Sequence, residues 1–388
     1  MDRRLKRRSI GVVTVARSDY GHLTPVLESV AADPALALGL YVAGAHLAPR
    51  YGETVREIEK DGWPIAARIP TAVDDDSPRG IAAMTARAVD GFGAALAADR
   101  PDILVVLGDR YEMLAAATAA LPFALPVAHV HGGEETEGAI DNQIRHAITK
   151  LAHLHFASAP LHAERIASMG EAPWRIHAVG APGLDRFRRL ETMSRPALGE
   201  ALGVPADARW LIVTFHPATL EPGQAVAHVR EVLAALQVVD VWAVITYPGA
   251  DTEGLAVIAE LEAFAARAPR SRVVSHLGER AYLSLLRHAD AMVGNSSSGI
   301  IEAPSFELPV VNVGTRQAGR LRGANVIDVP PERAAIGAAL QQALAPAFRA
   351  GLRGVANPYG DGHAAARIVE VLRSVALDAR LVRKGWAA

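Results

Sequence analysis

Short β-branched runs alternate with Ala/Leu-rich stretches whose apolar residues recur every three or four positions, almost from one end of the 388 residues to the other. This is the pattern of βα units feeding parallel sheets. In the first half, residues 10–15, 38–43, 103–107, 127–130, 155–157 and 176–179 read as strands. In the second half, residues 210–215, 241–246, 272–275, 291–293, 310–313 and 326–328 do so. Two groups of this size predict two sheets, and the length fits two α/β domains better than one core.

Pro and Gly punctuate Gly180-Ala181-Pro182-Gly183, with a polar helical stretch over 184–193 after them, so the joint is expected there. The expected organisation is a Rossmann-like domain over 1–180, a second over 181–362, and a final segment over 363–388. That segment holds an amphipathic helix (363–375) after the turn Asn357-Pro358-Tyr359-Gly360. Asp74-Asp75-Asp76-Ser77-Pro78 reads as a loop, either solvated or a lid.

Composition narrows the chemistry. A net charge of -2 with 21% charged and 50% apolar residues offers no basic face, so nucleic acid is not an expected partner. The absence of cysteine removes disulfides, thiolate metal sites and cysteine nucleophiles, leaving carboxylates, histidines and hydroxyls for catalysis. The basic start Arg3-Arg4-Leu5-Lys6-Arg7-Arg8 is followed by an apolar run too short for a secretory signal before Arg17 and Asp19 intervene. No uninterrupted apolar stretch of about 18 residues follows, so neither a membrane span nor a membrane partner is expected, and the expected location is cytoplasmic. His129 and His131 alternate along a strand and no HExxH-type spacing occurs, so neither metal nor cofactor is expected.

In parallel sheets ligands bind beyond the carboxyl ends of the strands, so the polar residues just after each apolar run are the ones to inspect. Asn295-Ser296-Ser297-Ser298-Gly299 follows one such run and opens a helix. Its free N–H groups and hydroxyls suit a diphosphate, although a single serine would serve as an ordinary helix cap. Glu302 is either a ribose contact or an exposed helix residue. Arg316 and Arg320, after the next strand, read as diphosphate partners or as a solvated charged loop. The strand-to-helix turn at Arg17 is comparable, and it lacks the GxGxxG of a dinucleotide fold.

Gly108-Asp109-Arg110 ends another strand, where the carboxylate is a catalytic acid or a helix cap. His131-Gly132-Gly133-Glu134 ends its neighbour, and Asp141 and Arg145 then lie four apart on one helix face, as a functional pair or a surface ion pair. Gathering Asp109, Glu134 and Asp141 on one rim would supply general acids and bases. His216, at the end of the second domain's first strand, suits the phosphate or the leaving oxygen.

At these positions the chain resembles the hydrolysing UDP-N-acetylglucosamine 2-epimerases of sialic acid and related nonulosonic acid pathways. The resemblance spans nearly the whole chain. It rests on Arg17-Ser18-Asp19-Tyr20-Gly21, Gly108-Asp109-Arg110-Tyr111-Glu112, His131-Gly132-Gly133-Glu134 through Lys150, Phe215-His216-Pro217, Gly294 to Glu302, and Asn357-Pro358-Tyr359-Gly360-Asp361-Gly362. It implies an α/β fold of GT-B type, two Rossmann-like domains with parallel sheets facing a central cleft. It also implies a last helix crossing back to the first domain, a homodimer, a nucleotide-sugar substrate, and elimination to a glycal followed by hydration.

By the same resemblance Asp109, Asp141 and His216 are candidate catalytic residues, and either Glu134 or His131 is the candidate for the third acid. Arg17, Arg110, Arg145, His276, Asn295, Ser296, Ser297, Ser298, Gly299, Glu302, Arg316 and Arg320 are candidate substrate or nucleotide contacts. One departure stands out. Familiar members carry His-Ile-Glu-Gly-Gly-Glu, whereas here His131 stands at the first glutamate, and the turn Glu135-Thr136-Glu137-Gly138 is one residue longer. In this the chain looks more like the subgroup acting on nucleotide-linked 2,4-diacetamido-2,4,6-trideoxyhexoses. A GT-B glycosyltransferase, a non-hydrolysing epimerase and a non-catalytic nucleotide-sugar sensor remain alternatives, and the three acids together count against the sensor.

Overall fold

The computed structural model describes residues 7–49, 52–71, 77–137, 140–188, 191–218, 221–248, 253–275 and 277–387. The chain divides into two units: Met1–Glu134, Ile140–Arg188 and Tyr359–Ala388 form the first, and Glu135–Ala139 with Arg189–Pro358 the second. The loop at 74–76 lies outside the described residues.

The first unit is built on a parallel sheet of β1 (Arg8–Thr14), β2 (Leu36–Ala43), β3 (Ile65–Ile69), β4 (Ile103–Leu107), β5 (Val127–Val130), β6 (Leu154–Ala157) and β7 (Ile176–Ala178), in the order β3-β2-β1-β4-β5-β6-β7. Strands β4, β5 and β6 are buried throughout, because a parallel sheet covered on both faces needs apolar side chains in both directions. One face packs Leu23, Leu27 and Val30 of the helix Arg17–Ala32; the other packs Phe92 and Leu96 of Pro78–Ala98 and Met113 of Tyr111–Ala120. Each such Leu, Phe or Met contributes roughly 1.5–3 kcal/mol by leaving water.

The helix Pro78–Ala98 is long and apolar enough to cross a membrane by length and composition alone. Its apolarity is largely alanine; it carries Arg79, Arg87 and Asp90, and Ala88, Phe92 and Leu96 seat it on the core.

The helix Ala364–Ser374 belongs to the first unit. Ala365, Ile368, Val369 and Leu372 follow a helical repeat and join the core of the Arg17–Ala32 face. Its first N–H groups are satisfied by Asp185, whose carboxylate accepts from Ala364 N (3.0 Å) and Ala365 N (2.7 Å). Asp185 sits in a 3-10 turn over Pro182–Arg188, where the sequence pattern predicts a longer polar helix; 189–190 lie outside the described residues.

The second unit carries β8 (Trp210–Thr214), β9 (Trp242–Thr246), β10 (Ser271–Val274), β11 (Ala291–Gly294), β12 (Val310–Val313) and β13 (Val326–Val329), all parallel, in the order β10-β9-β8-β11-β12-β13. Both sheets reverse direction of winding once, between β1 and β4 in the first and between β8 and β11 in the second. Such switch points open a crevice beyond the strand ends where ligands bind.

Candidate active site

At the first switch point the residues after β4 and β5 are drawn together by one guanidinium. Arg145, buried on the helix Asp141–Leu151, donates Nη2 to the Asp109 carboxylate, and Nη1 to the Glu134 carbonyl (2.7 Å) and to Asn142 Oδ1 (2.9 Å). A buried charge is tolerated when its donors are matched in this way. Asp109 is therefore not a helix cap: Arg110 is the residue before the helix Tyr111–Ala120, and it makes no side-chain cap. Asp141 is the first residue of its helix, on the same element as Arg145.

His131 lies one residue past β5 with φ 65°, an uncommon conformation for a side chain other than glycine. Its Nδ1 is 2.5 Å from Glu134 Oε1, which also accepts from Ser158 Oγ at 2.5 Å, and that hydroxyl is 2.9 Å from His162 Nδ1. Glu134 thereby fixes the ring's tautomer. His131 Nε2 is buried and has no hydrogen-bond partner among the described residues. Burial holds His162 below the ordinary histidine range. Gly133 (φ 76°) makes the turn possible, since a Cβ there would lie 2.3 Å from the His162 carbonyl.

Ser158 and His162 were not among the sequence candidates. Ser158 follows β6 as Asp109 follows β4, so the strand-end rule applied to that shorter run would have found it.

Asp19 anchors the turn after β1 by accepting from Thr14 Oγ1 (2.7 Å), Val15 N (2.9 Å) and Ala16 N (2.7 Å); burial raises its carboxyl to about 6 against those hydrogen bonds. Arg17 and Arg110 are half exposed, with Nε 3.7 Å from Glu57 and 3.8 Å from Glu112 respectively.

At the second switch point Asn295 knits β8 to β11. Its Oδ1 accepts from His216 N (2.7 Å) and its Nδ2 donates to His216 O (2.8 Å). The Asn295 carbonyl in turn accepts from Arg316 Nη1 (3.2 Å) and Gln317 Nε2 (2.8 Å), which ties in the loop after β12. Burial, with the nearby Arg316 cation, lowers His216 to about 4, so its imidazole is neutral at pH 7.

The three serines are not equivalent. Ser296 Oγ caps the short helix Ser297–Ile301 by accepting from Ser298 N (3.3 Å), and Ser298 Oγ accepts from Tyr282 (2.6 Å) and donates to Glu302 Oε2 (2.5 Å). Ser297 Oγ has no partner among the described residues. A helix of 5 residues has little macrodipole, so any anion binding here depends on its N–H groups, the free hydroxyl and Arg316. Gly299 is buried, Arg320 N donates to Gln317 O (3.3 Å), and His276 lies outside the described residues.

Two Rossmann-type sheets, one with an acidic switch point and one lined by asparagine, serine and arginine, define an α/β enzyme of the GT-B-like class. The sequence profile described as UDP-N-acetylglucosamine 2-epimerase matches residues 28–373. The chain belongs to the UDP-N-acetylglucosamine 2-epimerase family and is an enzyme of that family.

It is 35% identical over 378 residues to a UDP-N,N'-diacetylbacillosamine 2-epimerase (hydrolyzing) of Legionella pneumophila, covering 97% of this chain and 98% of the relative. It is 34% identical to a GDP/UDP-N,N'-diacetylbacillosamine 2-epimerase (hydrolyzing) of Campylobacter jejuni, over 84% of this chain and 85% of that one. Among solved structures, a UDP-GlcNAc 2-epimerase from Neisseria meningitidis superposes with a TM-score of 0.81 at 17% identity, covering 94% of this chain and 99% of that one. This last likeness is one of fold.

Proposed function

We propose that the enzyme is a hydrolysing nucleotide-sugar 2-epimerase whose substrate is a nucleoside-diphosphate 2,4-diacetamido-2,4,6-trideoxyhexose, released as the free 2-epimer. The observation that carries this reading is the Arg145-centred assembly of Asp109 and Glu134, with Asp141 on the same helix and His131 bonded to Glu134. Similarity to the two diacetylbacillosamine enzymes, together with histidine at position 131, supports the choice of sugar.

In the reaction the C2–H bond breaks to a protein base, its electron pair forms the C1=C2 double bond, and the C1–O bond breaks with its electrons leaving on the nucleoside diphosphate. An acid then protonates C2 from the opposite face and water adds at C1, losing a proton. The net change is consumption of one water. Arg145 orients the Asp109 carboxylate at the end of β4, and Asp141 supplies a second carboxylate. Glu134, by accepting from His131 Nδ1–H, leaves Nε2 to take up or deliver the remaining proton, the logic of a carboxylate–histidine dyad. Ser297 and Arg316 meet the developing charge of the departing diphosphate, and Glu302 the ribose. The working form on this reading is a cytoplasmic homodimer.

The test is incubation in deuterated water with UDP-N-acetylglucosamine and with UDP- and GDP-linked diacetylbacillosamine, followed by proton NMR. Free 2-epimeric sugar with deuterium at C2 is the expected product from a diacetylbacillosamine nucleotide. Unchanged substrate in every arm, or a nucleotide-linked epimer, overturns the reading.

A further inference from the structure

The helix Asp141–Leu151 presents Asp141 and Arg145 from its first turns, so what holds its last turn bears on the placement of the backbone that carries them. The carbonyls of a last turn have no partner within the helix. Here they are met by a side chain far away in sequence. Lys384 Nζ donates to Ala152 O (2.6 Å) and Lys150 O (2.9 Å), lies 3.3 Å from Thr149 O, and pairs with Glu171 Oε2 at 2.8 Å. A cation at this end of a helix complements the negative end of its dipole.

Glu171 is itself buried and shared: Lys150 Nζ lies 2.6 Å from Oε1 and His155 Nε2 3.0 Å from Oε2. The segment bearing Lys384 is clamped independently of it. Arg175 donates to His153 O (3.0 Å) and to the carbonyls of Arg380 (2.7 Å), Leu381 (2.8 Å) and Arg383 (2.9 Å). Leu381 enters the core, Ala387 N donates to Gly170 O (3.0 Å), and the Trp386 ring lies over Lys150 Nζ at 4.9 Å. All of these residues belong to the first unit.

We infer that Lys384 is a positioning residue for the epimerase reaction: by capping the last turn of the helix Asp141–Leu151, it sets the placement of Asp141 and Arg145 at the other end. This rests on the proposed roles of Asp141 and Arg145. A cap in this geometry acts on the placement of reacting groups, and misplacement by about an ångström costs rate more than it costs binding.

Lys384→Met removes the cap while keeping the apolar stem. The expected result is a fall in kcat of about tenfold or more with KM changed by less than about threefold, together with faster hydrogen–deuterium exchange of the amides of 145–152. Lys384→Arg, which keeps the charge, is expected to recover most of the exchange protection and part of kcat. Unchanged kcat with unchanged exchange in Lys384→Met overturns the inference, and so does a loss confined to KM. Should that variant not fold, Lys384→Gln, with two N–H donors and no charge, is judged by the same criteria. If the unaltered enzyme turns over none of the nucleotide sugars, the proposed function fails, whereas the exchange measurement still decides whether Lys384 holds the helix.

Discussion

His131 combines a left-handed backbone, a ring held by a carboxylate and one buried nitrogen with no partner among the described residues. Backbone strain and an unsatisfied polar atom each cost about 1–3 kcal/mol, so a residue retaining both is well placed to act on substrate. If His131 and Glu134 work as one proton-transfer unit, His131→Gln and Glu134→Gln should each lower kcat by roughly 10²–10⁴-fold. The double variant should lose little more than either single one, because removing either partner disables the unit. Losses that multiply in the double variant would show two separate roles. On the other unit, Ser297 has the free hydroxyl and Arg316 the cation. Ser297→Ala combined with Arg316→Ala is expected to weaken UDP binding by roughly tenfold to a hundredfold, consistent with the loss of charge-assisted hydrogen bonds. Calorimetric titration returning intact affinity would place the phosphates elsewhere.

Among the elements, the turn between β11 and the serines depends on Gly294. Its φ is 137°, and a Cβ there would stand 1.9 Å from the Thr214 carbonyl on the adjacent strand β8. Gly294→Ala must therefore separate two paired strands, and a loss of roughly 3 kcal/mol or more is expected in urea unfolding. Gly93, inside the helix Pro78–Ala98, has open space around it, and Gly93→Ala should instead add about 0.5–1 kcal/mol. Equal effects of the two substitutions would contradict this account. Sequence periodicity reveals strands with both faces apolar, such as β4 and β8, and also the less buried edge strands β7, β10 and β13. The edge strand β3 escapes it, because Ala66-Ala67-Arg68 leaves no β-branched run between Ile65 and Ile69, and only Ile69 is buried. The same distinction governs the site. Asp109, His131, His216 and Asn295 are legible since each directly follows an apolar run. Less legible is the tie between Arg145 and Asp109, whose carboxylate the guanidinium reaches from 36 residues away. Contacts made across the fold leave no local pattern to read.

For the molecule as a whole, the buried histidines are unevenly shared. Burial lowers His46 to about 4, His129 to about 3 and His153 to about 4, and depresses His155, His162 and His177 as well; all belong to the first unit. The second unit contributes His216, at about 4. An imidazole neutral in the folded chain but free to protonate when unfolded stabilises the fold above pH 6.5. That stability is lost as pH falls from 6.5 through the folded value. A displacement from 6.5 to about 4 corresponds to roughly 3–4 kcal/mol for one group, and the sum over several is smaller than simple addition implies. Glu171 acts in the same direction at lower pH: burial works to raise it, and hydrogen bonds from His155, Lys150 and Lys384 outweigh that and hold it near 2, so its contribution is lost below about 4.5. Asp19 opposes them. Raised to about 6 by burial, its carboxyl favours the folded state increasingly as pH falls from 6 towards 3.8. One such group does not offset the histidines, so the first unit should lose stability between pH 6.5 and 4.5 ahead of the second. Hydrogen–deuterium exchange at pH 7.5 and 5, corrected for the intrinsic rate at each pH, should show protection falling first in β5, β6 and their helices. A loss appearing first around β8 and β11 would mean that the buried histidines do not control the acid limit of the fold.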